Sequence, residues 1–277
     1  MLYQLKVRAL KSPLLQRLSA RAQALFGRGL GVSEVPDRLK EDLIRRLVPG
    51  KTFADIGCMW RVNGLFSFVA EDAGAARVAA VDIYPASREF TAELVRLDSR
   101  VQFIQGDIHD AGTLQAIGRR DLVFCSGLLY HTPNPIDTLM QLRRICDGVL
   151  ILNTSTVPEH PGIKNFAVFY PYLDQGQRRL WSLGEGALGV STPYDPAQGY
   201  ANWIWGFSHS CLESMLRCAG FRVIERYGQG FLSCVVCETV APGFLPAAGD
   251  WTLAPVPRTF SGQGAAPPAA QPAAGSP

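Results

Sequence analysis

The sequence predicts an α/β protein of the doubly wound kind, and three observations carry that expectation. Short apolar segments alternate with segments of helical period from residue 36 to residue 153. The short segments are apolar on both faces, as strands of a parallel sheet covered on both sides must be. Late in the chain two further strand-like runs are joined by only Gly228-Gln229-Gly230, a connection that allows a hairpin and makes the final strand antiparallel.

In order, Asp37–Leu47 reads as a helix begun after Pro36 and stopped by Pro49-Gly50. Lys51–Ile56 is a strand and Gly64–Asp72 a helix. Arg77–Asp82 is a strand, Ser87–Leu97 a helix, Val101–Gln105 a strand and Ala111–Ile117 a helix. Asp121–Ser126 is a strand, Ile136–Cys146 a helix and Val149–Asn153 a strand. After an interruption the pattern resumes with helix Ser210–Cys218 and strands Phe221–Tyr227 and Phe231–Glu238. The expected whole is a Rossmann-like, seven-stranded sheet with an antiparallel last strand, occupying residues 36–240.

The interruption, Thr154–Phe207, is an insertion after strand five that holds ten of the chain's 27 aromatic residues. It leaves the carboxyl end of a strand, where open α/β sheets bind ligands, and a long connection in a compact domain is usually functional. It is expected to act as a substrate lid, with Tyr170, Tyr172, Trp203 and Trp205 lining the acceptor pocket together with Trp60.

Residues 1–35 read as a helical arm: Lys6, Arg8, Lys11, Arg17, Arg21 and Arg28 all precede the first acidic residue, Glu34. Packing on the body or a homodimer contact is the expected role, with a targeting presequence or an anion-binding patch as alternatives. The remaining chain carries 21 basic against 24 acidic residues, a poor general attractor for nucleic acid. Residues 241–277 contain eight of the 19 prolines and two charges, the composition of a disordered tail. No secretory signal or membrane-spanning stretch is visible, so the seven cysteines are expected to be reduced thiols of a cytoplasmic protein. Cys234-Val-Val-Cys237 lies on a strand, where residues three apart face opposite ways. No metal site is expected there.

Four polar residues fall at strand ends: Asp55, Asp82, Asp107 and Ser126. Lined up on one edge of a parallel sheet, they suit a ligand with a cationic head, a ribose and an adenine. A carboxylate can bridge both ribose hydroxyls, which favours Asp82, and another can accept from the adenine amino group, which favours Asp107.

With Asp55-Ile-Gly57, Val81-Asp82, Gly106-Asp107 and Asp121-Leu-Val-Phe-Cys-Ser126 leading to Leu129-Tyr-His131, residues 36–240 resemble the class I S-adenosylmethionine-dependent methyltransferases. The resemblance implies S-adenosyl-L-methionine as cofactor. It puts the Asp55–Gly57 loop, with Cys58, under the methionine part, Asp82 with Ile83 at the ribose, and Asp107 with Ile108 at the adenine. One departure is plain: Met59 and Arg61 occupy the places of the family's second and third loop glycines, so the loop is expected to turn at Asn63-Gly64 instead. A dinucleotide-binding oxidoreductase would need Gly-x-Gly-x-x-Gly, which this loop lacks.

Within that superfamily, Leu129-Tyr-His131 followed by Pro133 and Pro135, with Asn202-Trp203 and Leu212–Phe221 later, resembles the tRNA wobble-uridine carboxymethyltransferase branch. From that branch only Tyr130 carries over, as a residue contacting cofactor or substrate. His131, just past strand four, and His209, before the helix that follows the insertion, are the candidate catalytic bases. The expected activity is O- or N-methylation of a small aromatic or hydrophobic metabolite. Methyl or carboxymethyl transfer to tRNA or another RNA is the alternative, and a non-catalytic cofactor-binding protein the second.

Overall fold

A computed structural model describes residues 35–160, 162–172, 194–228 and 232–241. Most of the N-terminal arm, the tail, the middle of the insertion and the Gln229–Phe231 link lie outside the described residues. Six α-helices and nine strands are built from the rest: α1 (Asp37–Leu47), β1 (Thr52–Ile56), α2 (Leu65–Asp72), β2 (Arg77–Asp82), α3 (Arg88–Arg96), β3 (Gln102–Gln105), α4 (Ala111–Ile117), β4 (Arg120–Ser126), α5 (Pro135–Ile145), β5 (Cys146–Val157), β6 (Ala167–Phe169), β7 (Trp205–Ser208), α6 (His209–Ala219), β8 (Phe221–Tyr227) and β9 (Leu232–Thr239).

The main sheet runs β3-β2-β1-β4-β5-β9-β8. Strand β9 is antiparallel to both β5 and β8, so it is the reversed member. The helices start where the chain supplies hydrogen-bond acceptors for their first amides. The side chains of Ser87, Asp110, Asn134 and Ser208 accept from Phe90, Thr113, Asp137 and Cys211, each three residues on. Pro135 follows its cap directly, in the first turn where a missing N–H costs nothing.

Side-chain alternation divides the core into two layers. Along β4, Leu122 and Phe124 face α1, α2 and α3, whereas Val123 and Cys125 face α4, α5 and α6. Cys234 and Cys237 fall in opposite layers, as the strand argument requires. Phe53, Phe66, Phe90 and Phe124 are among the largest fully buried side chains, each stabilising by roughly 1.5–3 kcal/mol.

The insertion differs from its expected form. Its ends pair into the sheet: β7 runs parallel to the tip of β5 through Thr156↔Phe207 and Val157↔Ser208, and β6 adds antiparallel through Ala167↔Phe207 and Phe169↔Trp205. The connected sheet therefore has nine strands rather than seven. Correspondingly, β5 extends to Val157 instead of ending at Asn153, because β9 and β7 hydrogen-bond its continuation. Among the described residues, no helix is long and apolar enough to cross a membrane.

Candidate active site

The parallel strands bring the chain ends after β1, β2, β3 and β4 to one edge, and a cleft with about 340 Å³ of empty space opens there. Gly57, Asp82, Ile83, Asp107, Ile108 and, from the insertion, Tyr200 are among the residues that line it.

Sheet register sets the height of each polar residue along this edge. Asp55 pairs with Ala80, two residues below Asp82, and Asp82 pairs with Gln105, two residues below Asp107. At about 3.3 Å per residue, the three carboxylates climb in steps of roughly 6–7 Å instead of lying along a level rim. Only the upper two reach the cleft.

Asp55 is buried and accepts a hydrogen bond from Ser67 Oγ at 2.8 Å. Burial pushes its carboxyl up to about 7, with Asp82 adding repulsion and the Ser67 bond opposing the shift. It is a core acid beneath the loop. Asp82 is buried too but lines the cleft: it accepts the Met59 N–H at 2.7 Å and the Tyr84 N–H at 2.9 Å. Those two bonds leave about half of its acceptor positions for a ligand.

The loop takes the path that its lost glycines demand. Gly57 is left-handed at φ 83°, and so are Arg61 (63°), Asn63 (47°) and Gly64 (77°). Met59 needs no positive φ; its side chain is buried among the α1–α3 layer. The turn does fall at Asn63-Gly64. A Cβ on Gly64 would come within 2.3 Å of the Phe90 ring, so a glycine is required there by space as well as by φ.

Asp107 is held on both oxygens. Oδ1 accepts from the His109 N–H at 2.9 Å and contacts His109 Nδ1 at 2.7 Å, while Oδ2 accepts from the Tyr200 hydroxyl. Burial would raise this carboxyl, but the Tyr200 and His109 bonds outweigh it and hold it below its usual range. The Tyr200 phenol is shifted up, by burial first and then by Asp107.

A second group of side chains surrounds the turn after β4, outside the residues that line the cleft. Asn153 Nδ2 donates to Ser126 Oγ at 3.0 Å, and Asn153 Oδ1 is buried with no hydrogen-bond partner among the described residues. The Tyr130 hydroxyl bonds Ser155, and burial raises its pKa. His131 Nδ1 lies 2.7 Å from the Asn202 carbonyl. Only a protonated Nδ1 can donate to a carbonyl, so the neutral ring carries its lone pair on Nε2. Burial lowers the pKa of His131, which keeps it in that neutral form. Trp203 packs on Tyr130 at 4.3 Å between centroids and on His131 at 6.0 Å.

The other anticipated residues are dispersed. His209 opens α6, its Nε2 3.5 Å from Thr156 Oγ1, and does not line the cleft. Cys58 is buried. Tyr170 is buried in a small cluster with Val157 and Val168, an internal position rather than a pocket wall. Tyr172 ends the turn Tyr170–Tyr172. Trp205 packs against Phe169 at 4.7 Å and donates from Nε1 to the Pro133 carbonyl at 3.1 Å. Trp60 is 67% exposed on the loop, 6.2 Å from Tyr84. Sequence reasoning missed Tyr200 and Asn202 as site residues. The Asp107-Ile-His109 spacing, which closes an Asx turn, was a local signal for His109; Tyr200 lies 93 residues from its partner and had none.

Sheet order, reversed strand and edge cleft are those of a Rossmann-like α/β domain, and residues 54–152 match the methyltransferase domain family. Among curated proteins, the chain is 31% identical over 118 residues to a tRNA U34 carboxymethyltransferase of Haemophilus influenzae (strain PittEE), covering 39% of this chain and 33% of that protein. It is 33% identical over 117 residues to the protein of that name from Shewanella amazonensis, covering 39% and 32%. The chain thus spans about a third of the length of the curated relatives it matches. Among solved structures, the N-terminal domain of EvdMO1 with SAH bound superposes with a TM-score of 0.52 at 15% identity, over 75% of this chain and 82% of that one. An O-methyltransferase family protein from Burkholderia thailandensis gives 0.50 at 15% identity, over 74% and 56%. At these identities the structural likeness is one of fold.

Proposed function

We propose that this protein binds S-adenosylmethionine in the β1–β3 cleft and methylates an O or N atom of a small aromatic or hydrophobic molecule held against the insertion. The observation that carries this reading is the pairing of two acceptor carboxylates, Asp82 and Asp107, one step apart in a cleft closed by an aromatic side chain of the insertion. The residues fit the cofactor: Asp82 keeps acceptor capacity for a ribose diol, and Gly57, at a left-handed φ of 83°, lines the cleft without a Cβ.

Bound S-adenosylmethionine supplies an electrophilic methyl group on a sulfonium. The chain's part is to orient and to exclude water, which can account for much of the acceleration of a displacement. In this reading His131, its Nδ1 held at the Asn202 carbonyl, accepts a proton on Nε2 from a hydroxyl acceptor. Tyr130 and Trp203 supply an apolar wall beside it. The seven unbridged cysteines support a reducing, cytoplasmic setting.

A second reading, transfer to tRNA, is favoured by the sequence similarity to the tRNA U34 carboxymethyltransferases. Calorimetry with S-adenosylhomocysteine followed by methyl transfer to a phenol panel and to bulk tRNA separates the two. His131→Ala is expected to lower turnover on phenols by at least roughly a hundredfold with cofactor affinity unchanged. Transfer to tRNA alone would replace the small-molecule assignment.

A further inference from the structure

The insertion and the sheet edge meet at one carboxylate. Asp107 Oδ1 faces two His109 nitrogens, the main-chain N–H at 2.9 Å and Nδ1 at 2.7 Å. Oδ2 accepts from Tyr200. A carboxylate oxygen has about two acceptor positions, so Oδ1 is full and Oδ2 keeps one. Both partners of Asp107 are fixed in turn. His109 Nε2 sits 3.0 Å from Thr138 Oγ1. The turn Pro196–Ala201 that carries Tyr200 is capped by Asp195, which accepts from Ala197 N at 3.0 Å, and is tied by Asn202 Nδ2 to the carbonyls of Asp195 and Gly199.

We propose that Tyr200 is a positioning residue for base recognition: by filling one position on Asp107 Oδ2 and walling the cleft, it leaves a single acceptor that selects a purine with an exocyclic amino group over its 6-oxo counterpart. This rests on the cofactor assignment above. An amino group donates to the one remaining lone pair, whereas a 6-oxo group sets an acceptor against a carboxylate and leaves both unpaired. Such polar mismatches discriminate more strongly than apolar fit, here at a carboxylate that is about a third exposed and walled by Tyr200. Removing the phenol oxygen opens the second position on Oδ2 to water. A water there donates one hydrogen to Oδ2 and the other to a 6-oxo group, and the penalty is relieved.

The experiment is calorimetric titration of the full chain and of Tyr200→Phe with S-adenosylhomocysteine and with its deaminated analogue, S-inosylhomocysteine. The variant loses one oxygen from a surface turn, and its melting temperature checks the fold. Wild type is expected to prefer the adenosyl ligand by at least roughly a hundredfold, and Tyr200→Phe to narrow that ratio roughly tenfold or more. An unchanged ratio in the variant, whether or not both affinities fall together, overturns the role of Tyr200 while leaving the cofactor site standing. Wild type that binds neither ligand overturns the cofactor site itself, and this inference with it.

Discussion

The sheet edge and the insertion bound the same cleft but are held in different ways. At the edge, Asp82 grips two main-chain amides, of Met59 and Tyr84, and the loop it closes is buried through Met59. On the insertion, single side chains act as hooks: Tyr200 on Asp107, Trp205 on the Pro133 carbonyl, Asn202 on its own turn. Met59 of the loop is buried in the α1–α3 layer, whereas β7 joins the other layer through Phe207, with Trp205 packed against it.

Four substitutions break or sharpen that contrast, beginning with the largest effect. Asp55, inside the edge, keeps its proton up to about pH 7 when folded but releases it near 3.9 when unfolded. Between those values the native state binds more protons, so stability falls as pH rises and levels off above about 7. The slope is up to about 1.4 kcal/mol per pH unit, roughly 4 kcal/mol across the window. Asp55→Asn is expected to abolish this dependence in urea titrations run from pH 4 to 8; a variant as pH-sensitive as wild type would show that Asp55 is ionised throughout.

Gly64→Ala comes next. It drives a Cβ into the Phe90 ring at a left-handed φ, an expected loss of about 3 kcal/mol of global stability, read as a drop in urea midpoint. Asp82→Ala follows, with roughly 1.5–3 kcal/mol of S-adenosylhomocysteine affinity lost by calorimetry; an equal dissociation constant would remove Asp82 from the ribose. Last, Trp205→Phe deletes one hook. A loss of about 1 kcal/mol is expected in hydrogen exchange of residues 203–208, with the global urea midpoint unmoved. A fall in that midpoint would mean that insertion and edge unfold as one.

The same contrast explains what could be read in the sequence. The succession of strands and helices, the reversed strand and the helix starts follow from local signals: β-branched runs, the short Gly228-Gln229-Gly230 link, and Pro36 at a helix entry. The turn at Asn63-Gly64 was legible because the missing glycines had to be replaced by other residues tolerant of φ > 0. Height along the strands was not. Asp55, Asp82 and Asp107 look equivalent as strand-end acids, and only the register of paired backbones separates the one below the cleft from the two that line it. Nor was the insertion's arrangement legible. Tyr170 and Tyr200 are both tyrosines of one aromatic stretch, yet one is internal and the other reaches Asp107, a partner 93 residues away.

Strand β5 belongs to two neighbourhoods. Its first part is flanked by β4 and β9 in the main sheet, and its tip is the rail on which β7 rests. The two described ends of the segment between β5 and β7 are thereby moored to one spar, and a longer or shorter span between them leaves both moorings in register.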